Sequence, residues 1–289
     1  MDVLKLGIPA GSLLKATIEL FNRAGFAISD SERNYLPDID DEQIEPICLR
    51  AQEISRYVEN GVLDAGITGY DWIMENGSDV VQVAELAYSK STNRPARWIL
   101  AVPNESKIHK PEQLKGGIIA TELVNVTKKY FADKKIDVKV EFSWGATEIK
   151  ARLVDAIVEL TETGTTLQAN NLKVIDTVIQ STTRLVANKE AWTNSFKREK
   201  IENIAILLKA AINARSMVGL KMNVKKTDLP SILKVLPAEK SPTVSSLADS
   251  DYVAVEVIID EKTERSILPA LKRAGASGII TYPLNKVIH

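Results

Sequence analysis

From residue 3 to residue 187, short β-favouring runs alternate with helical stretches, and this alternation restricts the chain to an α/β fold. Residues 3–8, 44–49 and 65–68 read as strands, each followed by a turn and a helix. The first helix covers residues 13–24, with apolar positions at Leu13, Leu14, Ile18, Leu20 and Phe21, and Gly25 closes it. The second covers residues 54–60, and the third is entered through Gly69, Tyr70 and Asp71. Residues 97–102, 117–121 and 138–142 continue the rhythm, with a helix running to Lys134. Residues 174–178 and 183–187 read as further strands and 197–214 as a long helix. The expectation is a largely parallel sheet arrangement in two α/β lobes with a cleft between them. Ligands of such sheets sit at the carboxyl ends of strands, which selects the turns at 9–12, 50–53 and 68–71.

Beyond Met217 the pattern changes. A strand at 217–224, a helix at 227–236, a strand pair at 241–247 and 252–259, a helix at 263–274 and a strand at 278–281 give the order βαββαβ, which is ferredoxin-like. About 75 residues suffice for a small separate domain. It holds no catalytic-looking constellation and is expected to regulate or to oligomerise. The domain expectation is therefore a first lobe from 1–92 and 185–214, a second lobe from 93–184, and a C-terminal domain from 215–289.

Charge and cysteine content narrow the function classes. A net charge of −1 gives no global electrostatic case for nucleic acid or an acidic membrane. No apolar stretch approaches the roughly 20 residues of a membrane span. The start of the chain lacks the pattern of a signal peptide, and Cys48 is the only cysteine, so a reducing, cytoplasmic setting is expected. With only His109 and His289 besides, a transition-metal site or a Cys/His dyad is disfavoured. The metal that suits this chain is Mg²⁺, held through carboxylates and substrate oxygens.

The most chemically loaded stretch is Asp155-Ala-Ile-Val-Glu-Leu-Thr-Glu-Thr-Gly-Thr-Thr-Leu167. An apolar strand end runs into a turn with Gly164 and the hydroxyls of Thr161, Thr163, Thr165 and Thr166, followed by a helix start. Backbone N–H groups and hydroxyls converging there form an anion cradle suited to a phosphate monoester. Glu159 and Glu162 repel phosphate but bind sugar hydroxyls or a metal ion.

Gly7-Ile-Pro-Ala-Gly-Ser-Leu13, Asp64-Ala-Gly-Ile-Thr-Gly-Tyr-Asp-Trp72, Gly145-Ala-Thr-Glu148, the 155–172 stretch ending in Ala169-Asn-Asn-Leu172, and Pro242-Thr-Val-Ser245 with Leu247-Ala-Asp249 stand in order along the chain. Together they resemble the ATP phosphoribosyltransferases that open histidine biosynthesis, in their long form. The resemblance implies two periplasmic-binding-protein-like lobes and a ferredoxin-like regulatory domain. It further implies a glycosyltransferase of the pentosyl class, Mg²⁺ dependence, feedback inhibition by histidine, and dimers assembling into hexamers. Three positions depart from the family pattern: Ala10 stands where Lys is usual, Gln168 where Arg is frequent, and Asn171 where Gly is frequent. Asn171 is mild, since Asn accepts a left-handed backbone. At Ala10 a cationic contact is missing, for which Lys15 or another cation would have to compensate.

The implied reaction joins N1 of the adenine of ATP to the anomeric carbon of 5-phosphoribosyl-1-pyrophosphate and releases pyrophosphate. Asp155, Glu159, Thr161, Glu162, Thr163, Gly164, Thr165 and Thr166 are expected at the phosphoribosyl group, with Glu159 on the ribose hydroxyls and Glu162 as a second candidate. No dedicated metal ligands are expected; Mg²⁺ would bridge substrate oxygens, with Glu159 the one protein carboxylate in reach. Arg50, Lys90, Arg94 and Arg97 are the candidate cations, with Arg50 and Arg97 ranked first and grouped with Glu159 as catalytic. Gly11, Ser12, Thr68, Gly69, Asp71 and Lys90 are expected on the nucleotide side, Asp71 also suiting a helix N-cap. Trp72, Trp98 and Trp144 are expected to pack rather than to stack on a base. Asn223, Ser241, Thr243 and Gly278 are the candidates for a regulatory histidine. Two other readings fit two hinged lobes: a small-molecule-binding module, and a catalytically weakened regulatory subunit.

Overall fold

A computed structural model of the chain describes residues 2–29, 35–88, 95–162, 164–237 and 241–288. The chain divides into two compact units, Met1–Ala205 and Ile206–His289.

The first unit is built on two five-stranded sheets. Its opening elements are β1 (Leu4–Ala10), α1 (Leu14–Ala24), β2 (Ile44–Arg50), α2 (Ala51–Glu59), β3 (Ala65–Gly69), α3 (Tyr70–Asn76) and β4 (Val81–Leu86). The chain then enters the second sheet through β5 (Ala96–Pro103), β6 (Ile118–Thr121), α4 (Val124–Asp133), β7 (Lys139–Phe142), α5 (Thr147–Lys150), β8 (Ala156–Thr161), α6 (Thr165–Ala169) and β9 (Leu172–Ser181). It returns to the first sheet as β10 (Thr183–Ala187), followed by α7 (Lys189–Thr193) and α8 (Ser195–Asn213).

The strand orders are β2-β1-β3-β10-β4 and β7-β6-β8-β5-β9. β2, β1 and β3 are parallel, as are β7, β6 and β8, but β10 runs antiparallel to both its neighbours and β5 antiparallel to β8 and β9. The sheets are thus mixed rather than largely parallel. The chain crosses from one sheet to the other twice, and each crossing inserts a strand against the prevailing direction. β4 is a strand that the sequence reading does not anticipate.

Alternation along the strands separates the faces. In the second sheet Trp98, Leu100, Val102 and Val158 pack with Leu114, Leu123 and Phe131 on one side. Ile99, Ala101 and Ile157 pack with Leu167 and Leu172 on the other. Burial of each such side chain is worth about 1.5–3 kcal/mol, so both faces are fixed in register and only the strand ends remain free for chemistry. At the exit of β10 the Asn188 side chain accepts from the N–H groups of Glu190 and Ala191, a cap that starts the short helix α7.

The second unit holds β11 (Met217–Lys225), α9 (Leu229–Val235), β12 (Thr243–Ser246), β13 (Tyr252–Asp260), α10 (Glu261–Arg273) and β14 (Ser277–Pro283). Its sheet order is β12-β13-β11-β14, all antiparallel. That is the βαββαβ ferredoxin-like arrangement expected from the element order. Leu220, Met222, Val224, Val253, Val255 and Val257 form one buried face against Ile232 and Leu271 of the helices.

Candidate active site

The carboxyl ends of β1, β2 and β3 face those of β6 and β8 across a cleft of about 560 Å³ in the first unit. Its walls carry Ala10, Gly11, Ser12, Arg50, Gly69 and Asp71 from the first lobe, and Glu122, Glu159, Thr161, Glu162, Thr165 and Thr166 from the second. Ser181 and Thr183, at the return crossing, close the back.

The 158–167 stretch folds as a strand end, a turn and a short helix. Gly164 sits before α6 with φ 81° and its N–H donates to Thr161 Oγ1 at 2.9 Å. A side chain at Gly164 would meet nothing within 4 Å, so glycine is required there by backbone conformation and not by crowding. Asn171, with φ 61°, takes the left-handed conformation for which asparagine is suited.

Glu159 is the chemical centre of this wall. Burial pushes its carboxyl up to about 7, against hydrogen bonds from Thr147 and the Leu160 N–H, while nearby Glu148 and Glu122 add to the rise. Behind it runs a chain of polar groups. Lys150 Nζ donates to Ser143 Oγ at 2.7 Å, and Ser143 Oγ lies 2.8 Å from Thr147 Oγ1. Thr147 in turn bonds Glu159, so two hydroxyls link the Lys150 ammonium to the Glu159 carboxyl. Glu122, at the end of β6, is likewise pushed up by burial, opposed by the charges of Lys150 and Arg50. Arg50 reaches this point from the other wall, its guanidinium also lying beside the Gly11 turn. It thus brings a positive charge beside the uncharged Ala10 position, whereas Lys15 is exposed on α1 and does not line the cleft.

Several expected site residues stand elsewhere. Asp155 lies at the opposite end of β8, where its carboxylate accepts from the Ile118 N–H at 2.8 Å and ties β8 to β6. Thr68 is fully buried and donates to the Ala51 carbonyl at 2.7 Å, holding the β2–α2 turn. Arg97 is exposed at the start of β5, paired with Thr161, and does not line the cleft, whose wall there is Ala96 and Trp98. Asp71 lines the cleft but does not cap α3, whose cap is Gly69. It is buried and accepts from Trp98 Nε1 at 2.6 Å and Ser181 Oγ at 2.8 Å. Desolvation pushes its carboxyl above the usual range against these neutral donors. Gly69 permits this closeness, since a Cβ there would lie 2.0 Å from Asp71 Oδ1. Trp72 and Trp98 pack edge to face with centroids 5.9 Å apart. Trp144, by contrast, is 90% exposed after edge strand β7, its ring edge to face with that of Phe142. Thr163, Lys90 and Arg94 lie outside the described residues.

Glu122, Lys150, Ser143 and Thr147 have no role in the sequence reading. The signal was present in Gly145-Ala-Thr-Glu148, which follows the carboxyl end of β7. Gly145 and Ala146 both take positive φ, 99° and 49°, a strained turn that aims Thr147 inward. In the second unit Asn223 lies beside Gly278, whose Cβ would meet Asn223 Nδ2 at 3.4 Å, and Ser277 Oγ donates to the Asn223 carbonyl at 3.2 Å. Thr243 is on the same exposed sheet face as Asn223, on the edge strand beyond β13, and Ser241 precedes that strand.

Among the described residues no group of three or more His, Cys, Asp and Glu is placed to hold a metal ion, and no helix is long and apolar enough to cross a membrane. Residues 50–210 match the family model "HisG: ATP phosphoribosyltransferase" and residues 214–286 match "HisG, C-terminal domain". The ATP phosphoribosyltransferase of Chlorobaculum parvum is 55% identical over 288 residues, covering 99% of this chain and 98% of the relative. That of Pelotomaculum thermopropionicum is 54% identical over 286 residues, covering 99% of each. Among solved structures, the ATP phosphoribosyl transferase (HisG:HisZ) complex from Thermotoga maritima superposes with a TM-score of 0.61 at 28% identity, covering 72% of this chain and 97% of that one. A cleft with these walls and relatives matched from end to end lead to one conclusion: the chain belongs to the ATP phosphoribosyltransferase family, in the long form that carries the C-terminal domain, and is a pentosyltransferase of histidine biosynthesis.

Proposed function

We propose that the chain condenses ATP with 5-phosphoribosyl-1-pyrophosphate at adenine N1, giving N1-(5-phosphoribosyl)-ATP and pyrophosphate. The observation that carries this reading is the β8-to-α6 stretch, in which the end of β8 and the start of α6 present Glu159, Thr161, Thr165 and Thr166 on one wall of the cleft opposite Arg50 and the Gly11–Ser12 turn. The 5-phosphate is held by the hydroxyls and backbone N–H groups of the Gly164–Thr166 turn. Glu159 accepts from the ribose hydroxyls, and Glu162 flanks them. Arg50 meets the pyrophosphate, supplying charge beside Ala10. Ser12, Gly69 and Asp71 flank the nucleotide.

Two carboxylates, Glu159 and Glu122, do not make a complete cation cage, but they fit Mg²⁺, which keeps waters and substrate oxygens in its shell. When bound it neutralises the leaving pyrophosphate. The protein's own contribution is positioning and electrostatics around an oxocarbenium-like state. Adenine N1 offers a lone pair and no proton, so no general base is needed, and Glu159 serves as a hydrogen-bond acceptor throughout.

The ferredoxin-like unit is read as the site of feedback inhibition by histidine, with Asn223 and Gly278 as the leading contacts and Ser241 and Thr243 next. The match of residues 214–286 to the family's C-terminal domain supports this. Inhibition then shifts a population of subunit arrangements in a homo-oligomer of dimers reaching a hexamer, in the cytoplasm. The test incubates pure protein with ATP, Mg²⁺ and 5-phosphoribosyl-1-pyrophosphate and follows pyrophosphate release, with histidine titrated in. No release from any of these mixtures would leave a binding module or an inactive subunit as the correct reading, and release insensitive to histidine would remove the regulatory assignment.

A further inference from the structure

α3 leaves the first lobe at Gly69, yet its side chains hold the second lobe at two points. At its start, Asp71 accepts from Trp98 of β5 and Ser181 of β9, and the Asp71 N–H donates back to Ser181 Oγ at 3.1 Å. One turn later Glu75 spans the gap to α4. Its Oε1 accepts from the Asn125 N–H at 2.9 Å and its Oε2 from the Val126 N–H at 3.0 Å. Asn125 Nδ2 completes the clasp by donating to the Glu75 carbonyl at 2.9 Å. Asn125 and Val126 occupy the first turn of α4, where N–H groups lack an acceptor within the helix and a carboxylate is electrostatically favoured.

The place of this clasp gives it a consequence for the reaction. Only Leu123 and Val124 separate Glu122 from Asn125, and Leu123 is fully buried with its N–H bound to Thr121 Oγ1 at 3.0 Å. Glu122 therefore hangs on a short rigid turn fixed at one end by β6 and at the other by Glu75. We propose that Glu75 is a positioning residue for the phosphoribosyl transfer: by clasping the start of α4 from the first lobe, it sets where Glu122 stands in the cleft across from Arg50. This rests on the proposed function for the role of Glu122, whereas the clasp itself stands on hydrogen bonds outside the cleft. A misplacement of about 1 Å in a reacting constellation is enough to cost up to roughly a hundredfold in rate, so a residue that touches no substrate can govern turnover.

The test is Glu75→Gln, alone and combined with Glu122→Gln. Glutamine keeps the volume but turns an N–H donor toward an N–H donor. Alone, it is expected to lower kcat/KM about tenfold while shifting Tm by only a few degrees. In the Glu122→Gln background the same change should cost less than about twofold, because the residue it positions is already gone. Equal losses in both backgrounds, or no loss in the first, would overturn the assignment. Amide hydrogen exchange at Asn125 and Val126 gives a readout that needs no activity: it should accelerate in Glu75→Gln. Unchanged exchange in an active wild-type enzyme sinks the clasp alone. A wild-type protein that releases no pyrophosphate, while those amides still respond, sinks the functional reading and the catalytic role of Glu75 with it.

Discussion

Replacing Glu159 with glutamine should make the protein more stable and less active, and the size of the first effect follows from the site. The carboxyl is pushed from its ordinary 4.5 up to about 7, chiefly by burial. Between those values the folded chain binds the proton more tightly than the unfolded chain, so stability is fully present below pH 4.5 and declines as pH rises toward 7. At ~1.4 kcal/mol per pH unit the decline reaches roughly 3 kcal/mol above pH 7. The side chain is only partly buried, and screening reduces the expectation to about 2 kcal/mol. A glutamine carbonyl still accepts from the Leu160 N–H, and the buried charge is lost. Calorimetric unfolding of ligand-free wild type and Glu159→Gln at pH 4.5, 6 and 8 should show near coincidence at the lowest pH. At pH 8 the transition of the first unit should stand about 4–8 °C higher in the variant. The same variant should lose most of its pyrophosphate release, as expected where a destabilising group is kept for function. A variant less stable than wild type at pH 8, or a gap that does not change with pH, would refute the reasoning.

Three further substitutions separate backbone, packing and charge. Gly164→Ala meets no neighbour but must hold φ near 81°, so it should cost about 1–2 kcal/mol and lower activity further by disturbing the phosphate turn; thermal unfolding and a steady-state assay measure the two losses. Gly69→Ala places a methyl group 2.0 Å from Asp71 Oδ1, which should break the bonds to Ser181 and Trp98 and cost about 2–3 kcal/mol; equilibrium urea unfolding checks it. Arg50→Met, at an exposed position, should leave Tm almost unchanged while kcat/KM falls about a hundredfold, read from initial rates at varied 5-phosphoribosyl-1-pyrophosphate.

What the sequence discloses and what it hides divide along one physical line. Periodicity reveals which face a residue takes within its own element, and so the α/β alternation, the ferredoxin-like order and the Gly/Thr turn are readable one segment at a time. It says nothing of which strand lies alongside, and β5 and β10 run antiparallel to their neighbours without any mark in their own residues. Asp155 shows the same limit at short range. It is four residues from Glu159, yet a strand rises about 3.3 Å per residue, which carries Asp155 some 13 Å from the cleft and into a structural bond with Ile118. Thr68 is one residue from Gly69 and faces the opposite way. Glu122, Thr147 and Lys150 show the limit at long range. Glu122 stands after β6 and Thr147 and Lys150 after β7, and only the order β7-β6-β8 brings these turns to the end of β8 where Glu159 stands. That order also explains why Glu159 is unusual among the acids of this chain. Its own loop supplies a phosphate turn with no cation, while the turn after β7 supplies hydroxyls and the turn after β6 supplies a second carboxylate. Charge compensation is left to Lys150 at the far end of a hydroxyl chain and to Arg50 across the cleft. A carboxylate in that setting is incompletely compensated until substrate arrives, and a ribose with free hydroxyls supplies the donors that the protein withholds.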